Sequence, residues 1–208
     1  PWKGLGFGVA ASTGDQLGTL TSTSLAGYRT PGQQTFFSYR SDGTAAGTVI
    51  ADGERFRLAP QGYLYHGPFG LLTEYVISRQ EVRRADVTRE LENTSWQVAA
   101  SWVLTGGEPT FRAVSPKKPF DREAKTWGDV ELAARYSRLE IDEDTFPLFA
   151  NLASSARSAE AWALGLNWYL NRNVKVQLDY ERTQFEGGAS SGDREDESVL
   201  LSRFQIAF

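Results

Sequence analysis

Seventeen arginines against five lysines are the side chains of this sequence best equipped to engage a partner. A guanidinium is planar and permanently charged, and it meets a carboxylate or phosphate through two parallel hydrogen bonds, where an ammonium offers a point charge. Six cations, Arg40, Arg55, Arg57, Arg135, Lys175 and Arg203, each sit beside an apolar neighbour. Arg55 and Arg57 stand two apart, with Gly53, Ala59 and Gln61 continuing the same two-residue spacing and no acid among them.

Catalytic chemistry has little to work with. The absence of cysteine excludes thiol catalysis, disulfide scaffolds and zinc ribbons, and the single histidine, His66, leaves no room for a histidine metal site. No Ser/His/Asp or paired-acid constellation stands out, and His66 beside Gly67-Pro68 reads as a turn residue. Gly4, Gly6 and Gly8 superficially resemble a phosphate loop, but no lysine follows and the spacing sits within a strand pattern. Asp193-Arg-Glu-Asp-Glu197 has the acids for a divalent cation, yet a solvated loop is the simpler reading. Asn93-Thr94-Ser95 is a formal glycosylation sequon to which no function is attached. A membrane-embedded hydrolase is therefore disfavoured, and neither cofactor nor metal is expected.

The cations need elements to position them, and whole-chain averages hide those elements. The formal charge is −4, with a sequence pI near 5.2, which argues against a nucleic-acid partner. Mean hydropathy is −0.40, and no window offers the roughly 20 consecutive apolar residues of a membrane-spanning helix. That does not exclude a transmembrane β-barrel, in which only alternate residues meet lipid. The sequence begins at Pro1, with no initiator methionine and no charged, apolar leader, which reads as a removed signal or as a piece of something longer.

Period-two alternation is the strongest pattern. Val174, Val176, Leu178 and Tyr180 alternate with Lys175, Gln177, Asp179 and Glu181, giving one apolar and one polar face. Upstream, Trp162, Leu164, Leu166, Trp168 and Leu170 share a face, and Asn171-Arg172-Asn173 makes the connection a hairpin turn. Trp96 to Leu104, Val130 to Tyr136, Leu71 to Ile77, Phe56 to Leu64, Phe37 to Arg40, Leu5 to Ala11 and Leu200 to Phe208 repeat the pattern, for about nine strands. At about 9 to 13 residues these exceed the usual strand of roughly 5 to 6; tilted near 40°, about ten residues cover the roughly 25 Å apolar band of an outer-membrane barrel. Trp96, Trp102, Trp162, Trp168, Tyr169 and Phe208 fit aromatic belts at the interfaces better than a stacking platform for sugars or bases.

Connections differ in kind. His66 to Gly70 and Asn171 to Asn173 are tight, whereas Arg83 to Glu92, Glu143 to Ser158 and Gly187 to Glu197 are longer and charged. Parity puts two further long segments, Thr13 to Gln33 and Gly106 to Thr126, at the end with the tight turns, as inward folds or as extensions.

Several stretches together resemble one family. Tyr28-Arg-Thr-Pro-Gly-Gln-Gln-Thr-Phe-Phe-Ser-Tyr-Arg40, Pro60-Gln-Gly-Tyr63, Gly67-Pro-Phe-Gly-Leu-Leu72, Trp96-Gln-Val-Ala-Ala-Ser101, Ala134-Arg-Tyr-Ser-Arg-Leu139 and Leu166-Asn-Trp-Tyr-Leu-Asn-Arg-Asn-Val-Lys175 are similar to the C-terminal half of the phosphate-selective porin O and P family. Gly187-Gly188, Asp193 to Asp196 and the ending Phe204, Ile206, Phe208 fit as well, the ending resembling the terminal signal read by the barrel-assembly machinery. The resemblance implies a Gram-negative outer-membrane barrel of sixteen strands, a homotrimer that passes small anions such as phosphate. It also implies that the N-terminal strands and the constriction loop lie outside this sequence, residues 1–208 being the C-terminal part of one all-β, antiparallel transmembrane barrel domain with no separate soluble domain.

With the apolar stripe turned to the bilayer, Arg40, Arg55, Arg57, Arg135, Lys175 and Arg203 face the lumen as candidates for handling anions. Glu74, Asp129, Glu131, Asp179 and Glu181 face it by the same parity, so pairing with these acids is the competing role. Two other readings stay open: a structural, envelope-anchoring barrel with an incidental pore, and a soluble β-sandwich in which the tryptophan faces pack between sheets.

Overall fold

The computed structural model describes residues 4–111 and 114–207. Eight long strands form one antiparallel sheet: β1 (Leu5–Leu17), β4 (Ile50–His66), β5 (Phe69–Arg84), β6 (Val87–Val103), β7 (Asp129–Glu140), β8 (Ala156–Tyr169), β9 (Val174–Ala189) and β11 (Glu197–Ile206), each hydrogen-bonded to the next in that order. Three short strands complete the set. β2 (Tyr28–Arg29) and β3 (Thr35–Phe37) pair with each other, and β10 (Gly192–Asp193) pairs with the far end of β9.

Register shows what the alternation achieves. One row runs Leu5, Leu64, Leu71, Ala100, Ala134, Leu164, Tyr180, Leu200 across all eight long strands, and every member is apolar or aromatic. The next row runs Gly6, Tyr63, Leu72, Ala99, Arg135, Ala163, Glu181, Val199 and projects to the opposite face. A one-residue slip of any strand would exchange the two. The apolar face stays open, with Phe7 at 78% and Leu164 at 56% of full exposure, far beyond the patch size a water-soluble monomer shows. No second sheet covers it among the described residues, so the β-sandwich alternative does not describe this chain.

Aromatic residues border that face in two bands. Phe69 stacks on Trp102, and Trp168 meets Phe120 and Trp127 near the turn end; Trp96 with Tyr136 and Trp162 with Tyr180 lie further along the same strands. Beyond the second band β5 and β6 continue as a hairpin closed by Ala85 and Asp86, its apolar-side face now carrying Arg79, Glu81, Arg83, Glu90 and Glu92. Arg79 pairs with Glu92.

The turn end holds Gly67-Pro68, the Asn171–Asn173 connection and the long segment 104–128. Asn171 closes its turn by accepting from the Asn173 and Val174 amides at 2.8 and 2.9 Å. The other end holds segments 18–49, 141–155 and 190–196 besides Ala85-Asp86.

Three expectations are corrected here. Phe37 to Arg40 is not a wall strand: Phe36 and Phe37 are both buried, in a cluster with Ile141, Ala150, Ala156, Ala159 and Phe185, so the apparent alternation reflects burial from two sides. With β10 the sheet still has nine strands among the described residues, but Phe37 to Arg40 is not one of them. Removing that strand from the count moves the first long segment, now 18–49, to the loop end, away from the tight turns. Arg83 to Glu92 is no loop, since β5 and β6 stay paired through it to the Ala85-Asp86 turn.

Candidate functional site

Segment 18–49 folds back over the polar face of the sheet. Its tip is the β2–β3 hairpin, closed by Thr30 N–H to Gln34 O at 3.0 Å, with Gln33 at φ 66°. The tip is pinned on several sides. The Thr30 hydroxyl reaches both carboxylate oxygens of Glu197, at 2.9 and 2.8 Å. Asn93 of β6 donates to the Tyr28 hydroxyl at 3.1 Å and accepts from the Asp142 amide at 3.0 Å. Arg194 donates to Thr35 O at 2.8 Å while its guanidinium lies 4.6 Å from the Phe185 ring centre. The aromatic cluster of Phe36, Phe37, Tyr28, Tyr39 and Phe146 anchors the segment to the sheet and to segment 141–155. Burial, helped by Tyr28 alongside, pushes the Tyr39 hydroxyl well above its ordinary value of 10.0. Asp42, whose carboxylate accepts from the Thr44 amide and hydroxyl, is held below 3.8. An inward-folded segment is thus present in this chain.

Five of the six cations singled out from the sequence share one face of the sheet. Arg55, Arg57, Arg135, Lys175 and Arg203 all lie on the polar face. Their circumstances differ. Arg57 is exposed on that face, and it and Arg203 have no ion-pair partner among the described residues. Arg55 donates through Nη1 to Gln16 Oε1 at 2.7 Å, and its buried Nε meets no acceptor. Arg135 is paired with Glu181, as the competing role required. Lys175 lies 5.9 Å from the ring centre of Tyr169. Arg40 is the exception: it sits in segment 38–49, off the wall, and grips Pro147 O at 3.1 and 3.0 Å. Phe204 and Ile206 lie on the open apolar face, and Phe208 lies outside the described residues.

The acids are similarly sorted. Glu131 is buried and accepts from Asn167 and Tyr169 at 3.1 and 2.8 Å, and Asp129 accepts from Thr105 at 2.8 Å. Glu74 accepts from Gln97 at 2.9 Å. The loop acids are dispersed rather than gathered: Asp193 caps the Gly187 amide, Asp196 holds Arg182, and Glu197 holds Thr30. Among the described residues no group of acids could hold a metal ion.

Sequence reasoning missed Arg29. It lines, at the hairpin tip, a cavity of about 250 Å³ between the tip and the wall that is also bordered by Glu74, Gln97, Arg135, Glu181 and Thr183. The Thr30-Pro31-Gly32 run that follows was its signal, since a Pro-Gly turn inside a presumed loop marks a defined excursion. Towards the turn end, Phe111 stacks on the polar-face Tyr63 at 4.7 Å, and Val114 packs on Val103 and Tyr169, so segment 104–128 also reaches inward.

One antiparallel sheet with an open apolar face between aromatic bands, a charged opposite face and a segment folded onto it is the wall of an outer-membrane β-barrel of the porin class. The chain belongs to the phosphate-selective porin O and P family, whose model matches residues 3–208. Porin O of Pseudomonas aeruginosa is 24% identical over 149 residues, which are 68% of this chain and 33% of that protein. The match thus spans about a third of that relative's length. The outer membrane is accordingly where the chain resides.

Proposed function

We propose that the chain forms part of the wall of a water-filled outer-membrane channel through which small solutes, anions such as phosphate among them, diffuse passively, with no covalent chemistry and no cofactor. The observation that carries this is the pair of adjacent rows, one wholly apolar across eight strands and the next bearing Arg135 and Glu181. With the apolar row left open among the described residues, lipid on one side and water on the other accounts for both.

β1 and β11 each pair on one side only among the described residues. An unpaired edge in hydrocarbon leaves a row of unsatisfied amides and carbonyls at several kcal/mol each, so further strands must close the sheet. This supports a larger barrel, sixteen-stranded and trimeric as the family resemblance implies, delivered by the barrel-assembly machinery. Arg57 and Arg203 on the polar face, without ion-pair partners, favour anions by raising their local concentration.

The buttressed segment across the polar face favours a second reading, an envelope-anchoring barrel whose pore is incidental. Planar-bilayer recording of the folded barrel separates the two. Stepwise conductance with an anion-biased reversal potential in a phosphate or chloride gradient supports the channel, and no conductance supports the anchor.

A further inference from the structure

We propose that the cavity beneath the β2–β3 tip is a recognition site for small zwitterions, solutes of amino-acid size that carry a carboxylate and an ammonium together. This rests on the channel reading and adds a second solute class to it.

Charge and fixation carry the inference. Four charged groups border the cavity on its polar side, Arg29, Arg135, Glu74 and Glu181. Arg138 also borders it, but its guanidinium is held by Glu140 and Glu160 on β7 and β8. Arg135 and Glu181 satisfy each other. What remains is one cation, Arg29, and one anion, Glu74, neither in an ion pair among the described residues. A phosphate dianion gains nothing from a site whose charges sum to zero and is repelled by Glu74. A zwitterion gains at both ends.

Arg29 is also held ready. Its two chain neighbours are both anchored, Tyr28 by Asn93 and Thr30 by Glu197, so its backbone is fixed while its side chain has no hydrogen-bond or ion-pair partner among the described residues. Gln97 occupies one oxygen of Glu74 and orients the carboxylate, leaving the other oxygen for a donor. Preorganisation of this kind removes much of the ordering cost of binding. At about 250 Å³ the cavity falls below the roughly 300 Å³ at which pockets for drug-sized ligands begin. That sets the solute at a handful of heavy atoms.

The test is attenuation of single-channel KCl current in planar bilayers by glycine, compared at neutral pH with acetate and methylammonium, each of which carries one of the two charges. Glycine is expected to attenuate the current at lower concentration than either. Glu74→Gln should raise the half-blocking concentration of glycine roughly tenfold, the loss of one charge-assisted contact, while making the channel more sensitive to acetate. Arg29→Gln should weaken both glycine and acetate, and Arg29→Lys should restore part of each. A conducting channel that glycine and acetate attenuate equally, or whose glycine response survives both Gln variants, overturns the proposal and leaves the channel standing. Absence of any conductance overturns both.

Discussion

Arg135 of β7 and Glu181 of β9 are joined across the strand that separates them, directly over Ala163, the residue in register with both. Two strand spacings are about 9.5 Å, a gap that a long arginine bridges only because the intervening side chain is a methyl. The pair neutralises what would otherwise be a further cation on the polar face, and its geometry depends on a residue that carries no charge.

Glu181→Gln should therefore release Arg135 and increase anion preference. The expected outcome is a reversal potential, in a KCl gradient, shifted toward that of chloride. Ala163→Leu, which wedges the pair apart but leaves both charges in place, should move it far less.

Arg55→Ala combined with Arg57→Ala should shift the reversal potential in the opposite direction. The two lie on the polar face of β4, where no acid offsets them. An unchanged potential in both phosphate and chloride would remove them from the selectivity machinery.

Leu164→Arg tests the lipid face. The side chain sits in the all-apolar row at 56% exposure, so a soluble protein would tolerate the change. In a bilayer the expected cost is about 2–4 kcal/mol near the midplane, measured as reduced stability of the barrel folded into lipid vesicles.

Phe37→Ala should unseat the inward segment. The ring is fully buried and meets Tyr39 edge-on at 5.0 Å; removing it is expected to cost about 3–5 kcal/mol locally. Proteolysis at the β2–β3 tip should accelerate and open-channel current noise should rise, while the wall strands keep their protection from hydrogen exchange.

Asp42 gives a pH dependence with a definite sign. Hydrogen bonds from the Thr44 amide and hydroxyl favour its ionised form and hold it below 3.8, so its contribution to the 42–48 turn is present above pH 3.8 and is lost as pH falls through the lower folded-state value. Protection of the Thr44 amide should follow that course in hydrogen exchange. Asp42→Asn should flatten it.

The wall was legible in the sequence because a strand with lipid on one side and water on the other writes its environment into alternate residues. Val174 to Glu181 shows this without ambiguity, and parity alone grouped Arg55, Arg57, Arg135, Lys175 and Arg203 on one polar face. Parity fails where burial is not one-sided. Phe36 and Phe37 are neighbours in sequence and both buried, so the segment around them passed for a strand and carried Arg40 with it. The tip was illegible for a different reason. Thr30 and Glu197 lie 167 positions apart, and nothing in the local pattern of either announces the other. Arg29 gains its setting only from that contact and from Asn93. The ion pairing of Arg135 was foreseeable as a class but not as a partner, because it skips a strand.

The β5–β6 hairpin runs on past the apolar band with charges paired on its flank. From Ile77 to Arg84 it rises roughly 15–20 Å above the last lipid-facing residue, at about 3.3 Å per residue and a tilt near 40°. Electrostatic influence in physiological salt decays over about 8 Å. In the channel proposed above, the charged flank of this hairpin therefore lies about two screening lengths beyond the last lipid-facing residue, and a charged solute nearing that end meets the protein's own rim first.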